Sequence, residues 1–148
     1  MMKSDSVLTM LQERADEAAS DAALRLQQAR SVQKAAHEQL QMLVQVQDEY
    51  HARLKSQMQH GVSLSALRNF QQFIAKVETA IDGQQKRVKA ADVRTQTASR
   101  AWQDKQRESQ SYATLIQRQH QQALQQERRH EQLLSDDYAL QAARRRSH

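Results

Sequence analysis

Two acid–histidine pairs have the residue types and the spacing for metal chemistry. Asp48 precedes His51 by three positions, and Glu127 precedes His130 by the same interval. Residues three apart share one helix face, and di-iron carboxylate bundles use Glu-x-x-His ligands from several helices. Here the heptad register places Asp48 and His51 on an outward face near one end of the fold and the other pair toward the opposite end. We therefore expect no metal site.

The sequence lacks the other common catalytic constellations. It has no cysteine, which excludes disulfides, thiolate catalysis and cysteine-ligated metals and suits a reducing compartment. It also lacks the glycine-rich phosphate loop, the GxSxG nucleophile turn and the HExxH zinc motif. The 6 histidines follow no consistent zinc-ligand spacing. We expect a protein that is not an enzyme and that uses no cofactor.

Basic charge is concentrated in the second half of the chain. Residues 63–148 carry fifteen Lys and Arg against nine Asp and Glu, whereas residues 1–62 carry seven against eight. The basic residues cluster at Arg128-Arg129 and at Arg144-Arg145-Arg146, which would suit an anionic partner such as nucleic acid. A nucleic-acid surface would interleave exposed aromatics with such charges, but the aromatics follow the packing stripe. A solvated helix face is therefore the favoured interpretation, and we expect no nucleic-acid binding.

The composition favours long helices over a compact globular core. The chain has 148 residues, a mean hydropathy of −0.90, only 4% aromatic residues, 2 glycines and no proline. Its 26 glutamines and its many Ala, Glu, Arg, Lys and Leu residues are good helix formers, and apolar periodicity in such a composition indicates a coiled coil rather than disorder. No apolar run approaches the ~18 residues of a membrane span, and the N-terminus has no apolar signal core. We expect a soluble, cytoplasmic protein.

Apolar residues that recur every seven positions predict a first helix over about 6–58. One row reads Leu8, Ala15, Ala22, Ala29, Ala36, Leu43 and Tyr50. Its neighbour reads Leu11, Ala18 or Ala19, Leu26, Val32, Leu40, Val46 and Leu54. The pattern stops at 59–65, where Gly61 suits a left-handed helix end. Ser63 and Ser65 are candidate N-caps for a following helix. We expect 59–65 to be the tip of a hairpin.

A second heptad series predicts a helix over about 66–140. Its main row reads Leu67, Ile74, Ile81, Val88, Thr95, Trp102, Ser109, Ile116 and Ala123. Because this row stays in phase across Gly83, we expect the helix to continue through that residue. A short connection between long helices favours antiparallel neighbours. We predict a single all-α domain over 1–148, a long antiparallel two-helix coiled-coil hairpin that ends in a basic tail at 141–148.

The second helix is longer than the first, so antiparallel pairing makes it overhang. If Leu54 faces Leu67 beside the tip, Leu8 pairs near residue 113. Residues after about 116 then have no partner within the chain, and a lone glutamine-rich helix is marginal in water. We expect the overhang to fray or to become ordered against another molecule.

The apolar stripe near the tip is wider than a two-stranded seam requires, because each helix of such a coil buries one narrow stripe. Both helices offer apolar residues over three adjacent rows: Leu40, Leu43, Val44, Val46, Tyr50 and Leu54 in the first, and Phe70, Phe73, Ile74, Val77, Ala80 and Ile81 in the second. An exposed apolar strip marks a partner groove or a self-association face. We expect Phe70, Ile74 and Ile81 to pack inward.

Several short segments follow one another in a distinctive order along the chain. They read Leu40-Gln41-Met42-Leu43, Asp48-Glu49-Tyr50, the Gly61 tip, Asn69-Phe70-Gln71-Gln72-Phe73-Ile74, Ala80-Ile81, Trp102-Gln103-Asp104-Lys105 and Tyr112-Ala113-Thr114-Leu115-Ile116-Gln117-Arg118. By their order, spacing and total length, the chain resembles the flagellar export protein FliJ family over nearly its whole length. The resemblance implies a small cytoplasmic component of the flagellar type III export apparatus that looks like the coiled-coil stalk subunit of rotary ATPases.

The resemblance also implies partners and a location. Members of this family insert into the centre of the export ATPase hexamer, promote its assembly and activity, and bind the cytoplasmic part of the transmembrane export gate. They are also linked to the cycling of export chaperones. The chain would then be peripheral to the inner membrane, at its cytoplasmic face beneath the flagellum.

The family's gate-binding surface maps onto eight residues near the tip. They are Gln39, Leu43, Val46, Tyr50, Phe73, Val77, Ala80 and Gln84. Of these, we expect Phe73, Val77 and Ala80 to face outward beside Tyr50, although Val77 belongs to the packing row by register. Val46 and Gln84 depart from the residues found in some relatives. The ATPase contact is expected at the opposite end, which holds Leu8, Leu11, Leu115 and Arg118.

Two other functions remain open from the residues alone. The wide apolar stripe would suit a structural coiled coil that assembles with itself. The basic second half would suit a coiled coil that binds nucleic acid, with a steep dependence on salt.

Overall fold

Two helices make up nearly all of the chain. The computed structural model describes residues 2–147, and the side chains of residues 5–147. Helix α1 spans Met2–His60 and helix α2 spans Leu64–Arg146, and no strand occurs in this part of the chain. The predicted all-α hairpin of two helices is confirmed. Neither described helix is apolar enough over a sufficient length to cross a membrane.

Both helices extend beyond their predicted limits. Helix α1 begins at Met2 rather than near residue 6, and Asp5 in its first turn interacts favourably with the positive end of the helix dipole. Helix α2 ends at Arg146 rather than near residue 140. Ala142 and Ala143 favour the helix because alanine is the strongest helix former, and the arginines that follow them suit the negative end of the helix dipole. The expected basic tail is therefore helical as far as Arg146.

A tight turn separates the helices. Gly61 has a φ of 90°, in the left-handed region that favours glycine, and it ends α1. His60 Nδ1 lies 2.8 Å from the Ser56 carbonyl oxygen and donates to it at the open end of α1. Ser63 caps α2, since its Oγ accepts a hydrogen bond of 3.2 Å from the Ala66 amide.

The chain divides into two compact units. The turn unit is Ser20–Gln103, and the terminal unit is Met1–Ala19 with Asp104–His148. In the turn unit, Gln33 bonds to Asp92. In the terminal unit, Ser109 Oγ donates to Asp16 Oδ1. In the turn unit, Ala29 meets Thr95 and Ala36 meets Gln84, so earlier residues of α1 meet later residues of α2, as antiparallel pairing requires.

The core of the turn unit is narrow. Its buried residues are Ala22 and Leu26 from α1 and Val77, Ile81, Gln84, Val88 and Ala91 from α2. The small alanines allow the helix axes to approach closely. Between residues 27 and 76, every side chain is at least partly exposed. The bulky apolar residues nearest the turn are therefore only half-covered by the two helices.

Polar side chains cross the seam of the turn unit. Gln84 is only 3% exposed, and its Nε2 donates a hydrogen bond of 2.9 Å to the Ala36 carbonyl oxygen. The Thr95 hydroxyl shares its proton between the Ala91 carbonyl oxygen of its own helix, at 2.9 Å, and the Ala29 carbonyl oxygen of α1, at 3.2 Å. Polar residues inside a coiled-coil seam fix the register, because a slipped alignment would leave them unpaired.

A polar cluster lies at the edge of the same seam. Gln33 Nε2 donates to Asp92 Oδ1 at 2.9 Å, and His37 Nε2 lies 2.9 Å from the same oxygen. The Gln33 hydrogen bond, followed by the His37 contact, lowers the pKa of Asp92 below its ordinary value. The carboxylate therefore joins the two helices in its ionised form.

The terminal unit leaves much of α2 uncovered. Ala15 and Ala19 are buried, but every residue from 121 to 147 is exposed. Several of these are large and apolar: Leu124, Leu133, Leu134, Tyr138 and Leu140. The predicted overhang is therefore an exposed helix that continues to Arg146.

Substituting the two glycines should have opposite effects on stability. A Cβ at Gly83 meets no atom within 4 Å, so Gly83→Ala should raise the free energy of unfolding by about 0.5–1 kcal/mol. Gly61→Ala should lower it, because an L side chain is strained at a φ of 90°. Urea unfolding followed by circular dichroism measures both. A stabilised Gly61→Ala would contradict the turn geometry.

Replacing the buried amide of Gln84 should leave the fold at least as stable. In Gln84→Leu an apolar side chain of similar size fills the seam, and the Ala36 carbonyl keeps its helical hydrogen bond. We expect a change between about zero and +1 kcal/mol in the free energy of unfolding. Gln85→Leu, at the exposed neighbouring position, is the control. A loss of several kcal/mol in Gln84→Leu would show that the amide is essential to the fold.

Candidate functional site

An aromatic cluster joins the helices beside the turn. The rings of Tyr50 and Phe73 stack with centroids 4.0 Å apart and an interplanar angle of 26°. Phe70 meets Tyr50 edge-on, with centroids 6.3 Å apart. The Arg53 guanidinium carbon lies 5.6 Å from the Tyr50 centroid, within cation–π range. Because Phe73 remains 38% exposed, the cluster presents an apolar surface to solvent.

Six of the eight residues predicted for the gate-binding surface reach the surface of the turn unit. They are Gln39, Leu43, Val46, Tyr50, Phe73 and Ala80. Val77 and Gln84 are instead 7% and 3% exposed. The expectation that Val77 faces outward is wrong, because Val77 lies on the same heptad row as Phe70 and Gln84 and packs toward α1. The expected inward packing of Ile81 is confirmed by its burial.

Four of these six residues belong to two heptad rows, and Leu43 and Tyr50 belong to a third. On α2 the row reads Phe73, Ala80, Arg87 and Arg94, and on α1 it reads Val32, Gln39 and Val46. Farther from the turn, the two rows border a groove, which we call the side groove. Its lining residues are Val32, Ala35, Ala36, Gln39, Gln84, Arg87, Ala90, Ala91 and Arg94. Val32 belongs to the predicted packing row of α1 but is 56% exposed, whereas Arg87 and Arg94 are not among the predicted site residues. Their seven-residue spacing from predicted surface residues is the signal that would have identified them.

The arginines of the side groove form no ion pair with the described residues. Among residues 5–147 the ion pairs are His37–Asp92 and Lys105–Glu108, so neither Arg87 nor Arg94 is in one. The side groove therefore combines small and apolar residues with two cations on its α2 edge.

The residues predicted for the ATPase end all lie in the terminal unit. Leu8 and Leu11 are half-buried, whereas Leu115 is 45% exposed and Arg118 is exposed. A shallow groove beside them is lined by residues of both helices, including Thr9 and Ile116. An exposed leucine next to a cation is suited to a protein contact rather than to catalysis.

The outward face predicted for Asp48 and His51 agrees with their exposure. Asp48, His51, Glu127 and His130 are all exposed. No group of three or more His, Cys, Asp or Glu side chains among the described residues has a metal-binding arrangement. Each pair therefore offers two exposed side chains on one helix.

A solved structure from Chlamydia trachomatis, described as that of a YscO homologue, is similar to this chain. The TM-score is 0.48 and the sequence identity is 14%, and the match covers 93% of this chain and 89% of the other.

The sequence matches one protein family over almost its full length. The family model described as flagellar FliJ protein matches residues 4–148. The flagellar FliJ protein of Escherichia coli strain K12 is 33% identical over 145 residues, which covers 98% of this chain and 99% of that protein. The flagellar FliJ protein of Salmonella typhi is 32% identical with the same coverage. The chain therefore belongs to the FliJ family, a component of the flagellar type III export apparatus.

Proposed function

We propose that this chain is a non-enzymatic coupling stalk of the flagellar export apparatus. Its terminal unit binds the export ATPase hexamer, and its turn unit binds the cytoplasmic part of the transmembrane export gate. It also assists the cycling of export chaperones. It works in the cytoplasm at the inner-membrane face of the flagellar base, where its partners hold it.

The observation that carries the gate contact is the half-covered aromatic cluster of Tyr50, Phe70 and Phe73. A two-helix seam leaves this cluster accessible, and Phe73 is 38% exposed although it is a large apolar side chain. Interface hot spots are typically such aromatic anchors, often beside an arginine. Arg53 over the Tyr50 ring supplies that neighbour.

We assign direct gate contacts to the six accessible residues and a supporting role to the two buried ones. The accessible residues are Gln39, Leu43, Val46, Tyr50, Phe73 and Ala80. Val77 and Gln84 pack in the seam beneath them and hold the two rows in register. Family membership and the accessibility of the six residues within one unit support this assignment.

The ATPase contact is assigned to the terminal unit. Leu115 and Arg118 are exposed on α2, and Leu8 and Leu11 line the α1 side of the same unit. A helical element with apolar and cationic groups can contact a ring of subunits without hydrolysing nucleotide. The chain itself has none of the phosphate-binding sequence motifs that such hydrolysis uses.

One observation favours a second candidate, self-assembly. Residues 121–147 form an exposed helix with large apolar side chains, including Leu133, Leu134 and Tyr138. Such residues can associate between copies of one chain. A sedimentation experiment over a range of concentrations separates this alternative from the stalk, because only self-assembly gives concentration-dependent oligomers.

The chain should raise the turnover of the purified export ATPase while hydrolysing no ATP alone. Leu115→Asp with Arg118→Glu should remove most of this stimulation, because it places charge repulsion on the proposed contact. Leu24→Asp, at a 58% exposed leucine of the turn unit, is the matched control and should leave stimulation intact. ATPase assays at fixed ring concentration measure the effect. ATP hydrolysis by the chain alone, or no stimulation, would contradict the proposal.

Tyr50→Ala together with Phe73→Ala should weaken gate binding at least about tenfold, since aromatic anchors are common hot spots. The double variant should remain helical and lose only about 1 kcal/mol of stability, because the pair is partly exposed. Calorimetry with the cytoplasmic part of the gate and thermal circular dichroism provide the two readouts.

The matched control is Ile81→Ala, at a residue only 8% exposed in the seam. It should lower the stability by about 2–4 kcal/mol and keep gate affinity at temperatures where it is folded. If the double aromatic variant instead unfolds like Ile81→Ala and keeps its gate affinity, the cluster is core rather than a partner surface.

A further inference from the structure

The side groove extends the proposed gate surface away from the turn. Phe73 and Ala80 begin the α2 row, and Arg87 and Arg94 continue it at the same seven-residue interval. This row of α2 therefore begins with an aromatic residue near the turn and continues with two cationic residues farther from it. Gln39 borders both parts, since it is one of the six accessible residues and also lines the side groove.

We propose that the side groove holds an acidic amphipathic helix of the partner that docks on the Tyr50–Phe73 cluster. Two carboxylates of that helix, one heptad apart, pair with Arg87 and Arg94. This inference rests on the proposed gate-binding role of the same face. It adds the chemistry of the occupant and the residues that select it.

The shape of the groove is suited to a helix. Its floor and walls carry small side chains, including Ala35 and Ala90, which allow another helix to approach closely. Its two edges repeat every seven residues, at Val32 and Gln39 on α1 and at Arg87 and Arg94 on α2. A helix that follows a coiled-coil groove keeps this repeat in its own contacts.

The charge of the groove selects an acidic helix. Neither Arg87 nor Arg94 is in an ion pair with a described residue. The acidic residues on the same stretch of α2 are Glu78, Asp82 and Asp92, and none of them lines the groove. A partner carboxylate would meet either guanidinium without displacing an ion pair made by a described residue, and arginine binds carboxylates in a bidentate geometry.

A second copy of this chain does not provide the matching helix. No two of its 17 acidic residues are spaced seven positions apart. A pair of carboxylates with that spacing must therefore come from a different protein.

A charge-swap experiment tests the inference on the full-length chain. The probes are two synthetic amphipathic helices about four heptads long, with the same apolar face and either two Glu or two Lys one heptad apart. Fluorescence anisotropy measures their affinities for the native chain and for Arg87→Glu with Arg94→Glu. The native chain should prefer the Glu peptide, and the variant should bind that peptide at least about tenfold more weakly and prefer the Lys peptide.

The matched control is Lys86→Glu with Lys89→Glu, which makes the same change in net charge at exposed positions outside the groove. It should change the affinity for the Glu peptide less than about threefold. Equal losses in both double variants, or equal binding of the two peptides to the native chain, would overturn the inference. So would a concentration-dependent dimer of the native chain that Arg87→Glu with Arg94→Glu abolishes, since the occupant would then be a second copy.

Gate binding is measured separately and distinguishes the two proposals. If the native chain prefers the Glu peptide and the variant prefers the Lys peptide, but the native chain does not bind the gate, the groove chemistry is right and the assigned partner is wrong. If the gate binds and Arg87→Glu with Arg94→Glu leaves its affinity unchanged, the groove is not part of the gate contact and the inference fails while the proposed function stands.

Discussion

A pair of antiparallel helices can bury one seam, and this limit determines what the rest of the chain does. In the turn unit the seam is filled by small or slender residues such as Ala22, Val77 and Val88. Every further apolar row must then face water. The bulky side chains beside the turn, including Tyr50 and Phe73, remain partly exposed to water, because a pair of helices has no third helix to cover them.

The polar seam and the exposed surface depend on each other. Gln84 and Thr95 replace apolar packing with hydrogen bonds to the α1 backbone, which gives up some hydrophobic stabilisation. In return they select one alignment of the two helices. The proposed partner surface combines residues of both helices, such as Gln39 with Ala80, so its shape exists in that one alignment only. A seam of leucines would hold the helices together without defining which surface they form.

Heptad spacing was sufficient to predict both helices, the turn at Gly61 and the continuation of α2 through Gly83. It could not place every residue on the correct side, because neighbouring heptad rows are close in angle and a small rotation of the helix exchanges them. Val32 is the example, because its register assigns it to the α1 packing row although it is 56% exposed. Val77 is buried as its register indicates, and its outward placement came from the resemblance instead. Arg87 and Arg94 belong to the basic second half of the chain, and nothing in the sequence links them to Gln39 across the seam. Both helices are also longer than predicted, because the helix-dipole interactions of Asp5 and Arg146 are weak and leave little trace in the heptad pattern.

The seven-residue rows also make the fold extendable in discrete steps. One heptad added to α1 and one to α2, at facing positions, would carry every row forward by ~10 Å without turning any side chain to another face. An addition to one helix alone would separate Gln84 from the Ala36 carbonyl. The distance between the aromatic cluster and the arginines of the side groove can therefore change only in steps of one heptad. Length variation among hairpins of this kind is expected to come as matched seven-residue pairs, which preserve the alignment while changing how far apart two bound partners can be.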